Sequence, residues 1–147
     1  MADKPLVRDL MTANPVVINP DVSTKNVMAL MQEAGIRHLP VVDDEGIAGM
    51  VSDRDLTFIH GVPGVFQSVD TDEVTELLEL PISIVMKSRF LVDRDVTTIR
   101  EDQPLRQATD LLVGAGVGAI PVLNDGGEVV GILSTVDVVR WVTDKIL

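Results

Sequence analysis

Ile36-Arg37-His38-Leu39-Pro40-Val41-Val42, followed by Gly49-Met50-Val51-Ser52-Asp53-Arg54-Asp55-Leu56, is written twice in this chain. It returns as Val117-Gly118-Ala119-Ile120-Pro121-Val122-Leu123, followed by Gly131-Ile132-Leu133-Ser134-Thr135-Val136-Asp137-Val138. From Ile36 to Val117 is 81 residues and from Gly49 to Gly131 is 82, so the second copy carries one extra residue. A repeat of this length occurring only twice is no solenoid, whose periods run to roughly 20–50 residues and which needs about three copies. Two copies predict two similar subdomains about a pseudo-twofold axis. Any ligand site built by one copy then has a counterpart in the other.

Around that pattern each copy reads strand, helix, strand, strand, helix. In the first, Val16-Val17-Ile18 is a short β-branched run, and Asn19-Pro20-Asp21 turns the chain. Val27, Met28, Leu30, Met31 and Ala34 are spaced for a helix, with Asp21 or Ser23 as its cap and Gly35 at its end. His38 to Val42 and Ile47 to Val51 flank the acidic turn Asp43-Asp44-Glu45-Gly46 and predict a hairpin. Ser52 reads as the N-cap of a helix carrying Leu56, Phe58 and Ile59. The second copy repeats this with Val96 to Ile99, a helix near Pro104 to Gly114, a hairpin of Ala119 to Leu123 and Val129 to Leu133, and a last helix from Ser134. Val138, Val139, Val142 and Ile146 give that last helix an apolar stripe beside Trp141.

Arg8-Asp9-Leu10-Met11 and Ser83-Ile84-Val85-Met86 read as matching helical lead-ins, the second followed by six more residues before its strand. Residues 60–82, with a loop at Gly61-Val62-Pro63-Gly64 and an acidic amphipathic helix over 72–80, form a connector. The predicted domain division is therefore 7–59, a connector at 60–82, and 83–147. The fold class is α/β, a mixed α+β sandwich of two βαββα units.

At 147 residues with 46% hydrophobic and 24% charged content, the chain is in the ordinary globular range. Three Phe and one Trp leave the core to aliphatic side chains. A net charge of −11 argues against non-specific nucleic-acid binding, which needs a basic face. The absence of cysteine excludes disulfides, thiolate metal sites and cysteine nucleophiles. With no apolar run near ~18 residues and no apolar stretch at Met1-Ala2-Asp3-Lys4-Pro5, the expected compartment is the cytoplasm.

The order Asp9-Leu10-Met11-Thr12, Ile36 to Val42, then Gly49 to Leu56 resembles a cystathionine-β-synthase-type (CBS) domain. Two in tandem resemble the regulatory pair called a Bateman module, and the resemblance runs from about Val7 to Val139. It implies two related clefts that bind adenosine-containing ligands: AMP, ADP or ATP, with S-adenosylmethionine and NAD as alternatives. The family's Ser/Thr-x-x-Asp signature falls on Ser52 with Asp55 and on Ser134 with Asp137. The implied nucleotide-binding residues are Thr12, Val16, Ile36, Arg37, His38, Leu39, Pro40, Ser52, Asp53, Arg54, Asp55, Lys87, Gly118, Ala119, Ile120, Pro121, Ser134, Thr135 and Asp137.

The chemistry is plausible on its own terms. Helix-terminal amides and a serine hydroxyl receive phosphate, while a carboxylate one turn on accepts from ribose hydroxyls. Val16, Ile36, Leu39 and Pro40 are expected to wall an adenine without aromatic stacking. Arg37-His38 gives the first copy cations that Gly118-Ala119 denies the second. The first copy is therefore expected to supply the main phosphate contacts, with Lys87 reaching across a shared cleft.

Each motif also has a plainer reading. Ser-x-x-Asp is an ordinary capped first turn, and His38 suits a structural role. Gly114-Ala115-Gly116-Val117-Gly118 ends a helix and opens a strand, the reverse of a dinucleotide fingerprint. The acidic residues Asp70, Asp72, Glu73 and Glu76 read as a solvated face and no metal site is expected.

No nucleophile elbow or acid/base pair is evident, so the chain is not expected to be an enzyme. The leading expectation is an adenine-nucleotide sensor that changes conformation, forms a homodimer through the helix sets flanking its clefts, and signals to an effector protein in trans. The alternative is a constitutive interaction scaffold with no nucleotide response, or an accessory subunit docked on a separate enzyme or transporter.

Overall fold

The computed structural model describes residues 4–56, 76, 78–84 and 96–146. They fall into two compact units, and the chain enters one of them twice. Val17–Asp95 is one unit, while Met1–Val16 joins Val96–Leu147 in the other. The architecture is mixed α+β throughout, as the periodicities require.

In the Val17–Asp95 unit, β2 (His38–Asp43) and β3 (Gly46–Ser52) pair antiparallel, with a register shift between Val41 and Val42. Gly46 takes φ 111 where the hairpin turns, a conformation costly for a residue with a Cβ. The run at Val16–Ile18 contributes only Ile18, whose amide and carbonyl bridge Pro40 and Val42 at 3.0 and 2.8 Å. Helix α2 (Thr24–Ala34) chooses Ser23 over Asp21 as its cap, Oγ accepting from the Asn26 amide, and Gly35 ends it at φ 65. Its Val27 and Met31 meet Ile18, Leu39, Val41, Val51, Leu56 and Ile82 in one aliphatic core. The helix expected from Ser52 is, among the described residues, a 3-10 turn at Arg54–Leu56; Phe58 and Ile59 lie outside them.

The other unit carries a four-stranded sheet in which 12–13, 129–134, 119–123 and 99–100 lie side by side in that order. Its strands are β1 (Thr12–Ala13), β4 (Ile99–Arg100), β5 (Ala119–Leu123) and β6 (Val129–Ser134). The strand expected at Val96–Ile99 is displaced to Ile99–Arg100, because only there does the chain meet a partner, parallel to Val122–Leu123. Helices α1 (Val7–Leu10), α3 (Leu105–Ala115) and α4 (Thr135–Lys145) complete it. Val7, Leu10, Ile99, Ala108, Leu112, Ile120, Val122 and Leu133 form its core.

Each lead-in, with the residues just before it, packs in the unit formed by the other sequence repeat. Leu6 bridges Pro104, the Val7 amide donates to the Gln103 carbonyl at 2.9 Å, and Val7 is fully buried among second-repeat residues. Reciprocally, Pro81 bridges Ser23, the Ile82 amide donates to the Val22 carbonyl at 2.8 Å, and Ile82 is fully buried among first-repeat residues. Thr24, also fully buried, donates to the Leu80 carbonyl from both its amide and its hydroxyl, at 2.9 and 3.0 Å. The N-terminal strap is seated tightly. A methyl group on Gly131 would fall 2.4 Å from the Met11 sulfur and 3.1 Å from the Thr12 carbonyl.

Candidate nucleotide-binding turns

Each repeat ends its hairpin in the same closed turn. The Ser52 amide donates to Asp55 Oδ2 at 3.0 Å and the Asp55 amide donates back to Ser52 Oγ at 3.2 Å. In the second repeat the Ser134 and Asp137 bonds are 3.0 and 3.1 Å. This reciprocal capping box satisfies two amides left over at a helix start. It also fixes a hydroxyl and a carboxylate at the end of a strand, where neither is free to rotate away.

The second turn opens an 11-residue helix, so aligned peptide dipoles add positive potential at its amides. Thr12, brought by the N-terminal strap, donates its hydroxyl to Asp137 Oδ1 at 3.4 Å. The Thr135 amide donates to the Gly118 carbonyl at 3.1 Å, holding the Gly118-Ala119 segment beside the turn. The structure therefore brings Thr12, Gly118, Ser134, Thr135 and Asp137 together. Val16 belongs to the same unit and is exposed.

Around the first turn, the Asp53 amide donates to the Arg37 carbonyl at 2.9 Å, and His38 is the register partner of Ser52. Arg37, Asp53 and Arg54 are exposed, while Ser52, Asp55, Ile36 and His38 are half-buried. Burial pushes the His38 imidazole below its ordinary pKa. Asp53 and Asp55 act against that shift and Arg37 acts with it. His38 is thus held toward its neutral form, not the cation that the sequence reading assumed.

The folded chain therefore binds this proton less readily than the unfolded one. The stabilisation is complete above the unfolded value of about 6.5 and is lost as pH falls through the lower folded value. Thermal midpoints measured from pH 7.5 to pH 5 should fall less steeply in His38→Gln than in the unaltered protein. Parallel slopes would show that His38 contributes nothing to acid sensitivity.

Leu39, Pro40, Ile120 and Pro121 were expected to face a ligand, but their side chains are turned inward. Leu39 and Ile120 are fully buried, Pro40 and Pro121 are among the largest buried side chains, and Ala119 is buried as well. At these positions the backbone is what a ligand could meet, because the side chains on both faces of each strand are buried. Lys87 lies outside the described residues.

An open cleft of about 620 Å³ runs along α2, lined by Lys25, Met28, Ala29, Gln32, Ile36, Arg37, Asp53 and Leu56, among others. Met28 is half-buried, packing against the core of this unit while lining this cleft. Lys25, Ala29, Gln32 and Ile36 recur at helical spacing, which was the available signal, but a lysine at that position looks like any solvated one. Among the described residues no group of three His, Asp or Glu is placed to hold a metal ion, and no helix is long and apolar enough to cross a membrane.

The repeated strand–turn–cap pattern defines a CBS domain twice over, and the family model for the CBS domain matches residues 7–59 and 88–144. The chain belongs to the CBS domain family. It is 27% identical over 136 residues to the uncharacterized protein MJ1225 of Methanocaldococcus jannaschii, covering 92% of this chain and 46% of that protein, and so spans about half of that relative's length. The structure of CBSX2 in complex with AMP superposes with a TM-score of 0.70 at 26% identity, over 95% of this chain and 96% of that one. The CBS domain pair of protein MJ0100, in complex with 5-methylthioadenosine and S-adenosyl-L-methionine, gives a TM-score of 0.73 at 21% identity over 97% and 99%, a likeness of fold.

Proposed function

We propose that this CBS pair is a regulatory module that binds an adenosyl ligand (AMP, ADP, ATP or a related molecule) at its Ser-x-x-Asp turns. The observation that carries the reading is the congruence of the two turns. The same four-atom closure recurs in both repeats, each time presenting a carboxylate, a hydroxyl and strand-end amides together. The AMP complex of CBSX2, alike over nearly the whole chain, supports adenine as the base.

In this reading Asp55 and Asp137 accept from ribose hydroxyls, Ser52 and Ser134 meet the sugar or phosphate, and Thr12 orients Asp137. Arg37 supplies the phosphate cation, with Lys87 as a second, and Asp53, Arg54 and Thr135 complete the rims. No step of covalent chemistry is assigned. Regulation requires that the ligand favour one conformation over another, since a ligand indifferent to two states shifts neither. The output then passes to a separate effector protein, and the module acts as a homodimer.

The test is thermal stabilisation of the purified protein by AMP, ADP, ATP, S-adenosylmethionine and NAD, with GTP as the base control. A ligand at a hundred times its Kd adds about 2.7 kcal/mol, or roughly 5–10 °C for a chain of this size. Stabilisation by adenosyl ligands and not by GTP is expected. No response to any of them would favour the constitutive scaffold.

A further inference from the structure

The cleft along α2 belongs wholly to the Val17–Asp95 unit. Its volume of about 620 Å³ falls in the range of small-molecule sites, roughly 300–1,000 Å³. It adjoins the first Ser-x-x-Asp turn without including it. Arg37 and Asp53 reach its lining, whereas among the described residues neither Ser52 nor Asp55 does. The adenosyl reading therefore leaves this cleft without an occupant.

The floor of the cleft is aliphatic. Met31 and Leu56 show only their edges there, and half-buried Met28 and Ile36 present more of their surface. On the rim, Lys25 and Ala29 are one turn apart on the same face of α2. Lys25 stands in the first turn of that helix, where the aligned peptide dipoles already favour negative charge. No acidic residue shares the turn, and Lys25 forms no ion pair among the described residues.

The second repeat shows that the fold does not ask for this arrangement. Its helix α3 has the same length and the same ending, Gly116 matching Gly35 at φ 65. There Arg106 stands for Lys25, Thr109 for Met28 and Asp110 for Ala29, and Arg106 pairs with Asp110 at 3.8 Å. One helix thus answers its cation from within. The other leaves the cation open above an aliphatic floor.

In a chain of net charge −11, that combination suits an anion with a hydrocarbon body. From Lys25 to Gly35 the cleft follows α2 for about 15 Å, room for an extended aliphatic chain. Asp53 at the far end, beside Arg37 in the lining, disfavours a second anionic group there. We propose that the α2 cleft is a ligand site for a medium-chain carboxylate, its head group on Lys25 and its chain over Met28, Ile36 and Leu56. This goes beyond the adenosyl reading and is independent of it.

Titration of the full chain with sodium decanoate, followed by backbone-amide NMR shifts, tests it. Saturable shifts centred on residues 24–37 and 53–56 are expected, with a Kd of about 0.1–1 mM for so small a ligand. Decyltrimethylammonium, with the same chain and the opposite charge, should bind about tenfold more weakly. Ala29→Asp gives Lys25 the intrahelical partner that Arg106 has, and should weaken decanoate about fivefold to tenfold. Lys25→Gln should weaken it about twofold to fivefold. Both positions are exposed, so neither substitution should lower the thermal midpoint. Shifts that do not saturate below about 5 mM, shifts centred outside the Val17–Asp95 unit, equal binding of the ammonium compound, or decanoate binding untouched by either substitution would each overturn the proposal.

Discussion

Ile82→Ala is expected to lower the free energy of unfolding by about 2–5 kcal/mol, or roughly 5–15 °C in thermal midpoint. Ile82 is fully buried and touches a core otherwise built by residues 18–56. It arrives there from the end of the connector, directly before the lead-in of the second repeat. Its backbone is tied on both sides, the Ile82 amide to Val22, the Ser83 amide to Pro20 at 3.1 Å, and the Leu80 carbonyl to Thr24. The backbone thus holds the segment in place while the truncated side chain leaves a cavity that cannot collapse. Ile82→Val, which removes one methylene, should cost only about 0.5–1.5 kcal/mol. Urea unfolding followed by far-UV circular dichroism measures both. A loss below about 1 kcal/mol for the alanine variant would mean that this segment is not part of this core.

The exchange of lead-ins shows where sequence reading stops. Both four-residue lead-ins were visible as short apolar turns, but nothing local says that Leu6 pairs with Pro104 or Pro81 with Ser23. Such contacts depend on chain return over tens of residues and leave no periodicity behind. Strand β1 is two residues long, too short for alternation to register. The hairpins were legible because short apolar runs flank turns containing Gly46 and Gly127, both at positive φ. The end of α2 was legible at Gly35, while its start was narrowed to Asp21 or Ser23, either of which can cap, and the structure uses Ser23.

The turns of the candidate site were legible for a related reason. Ser-x-x-Asp is a local, self-contained hydrogen-bond unit, and it forms as the spacing says it must. What surrounds the turns was harder to read. His38 looks like a cation on paper, but its charge is decided by burial and by Asp53, Asp55 and Arg37, which only the folded chain brings together. Leu39 and Ile120 look available in a motif, but both faces of their strands are buried. In α4, adjacent Val138 and Val139 differ by about 100° around the helix axis, so one apolar run serves two faces.

Asp55→Ala is expected to weaken binding of adenosine, AMP and ATP alike by about a hundredfold or more at the first repeat. The ribose is common to all three, and hydrogen bonds to a carboxylate contribute about 1.5–3 kcal/mol each. Asp55 also accepts from the Ser52 amide, so its removal opens the capping box and costs some stability on its own account. Asp55→Asn separates the two effects. The amide oxygen keeps an acceptor for Ser52 while the charge is lost, so stability should largely return while affinity does not. Arg37→Ala should behave differently, weakening ATP about tenfold more than adenosine, because an exposed guanidinium beside the turn can discriminate only through phosphate. Asp137→Ala reports on the other repeat, where Gly118-Ala119 offers no cation and the loss should be the same for phosphorylated and unphosphorylated ligands. Isothermal titration of the four variants against the three ligands measures all of these losses. If Asp55→Ala and Asp137→Ala both bind as the unaltered protein does, the carboxylates serve only as helix caps. Losses at Asp55 that track phosphate number instead of ribose would place the ligand in the first turn with its polarity reversed.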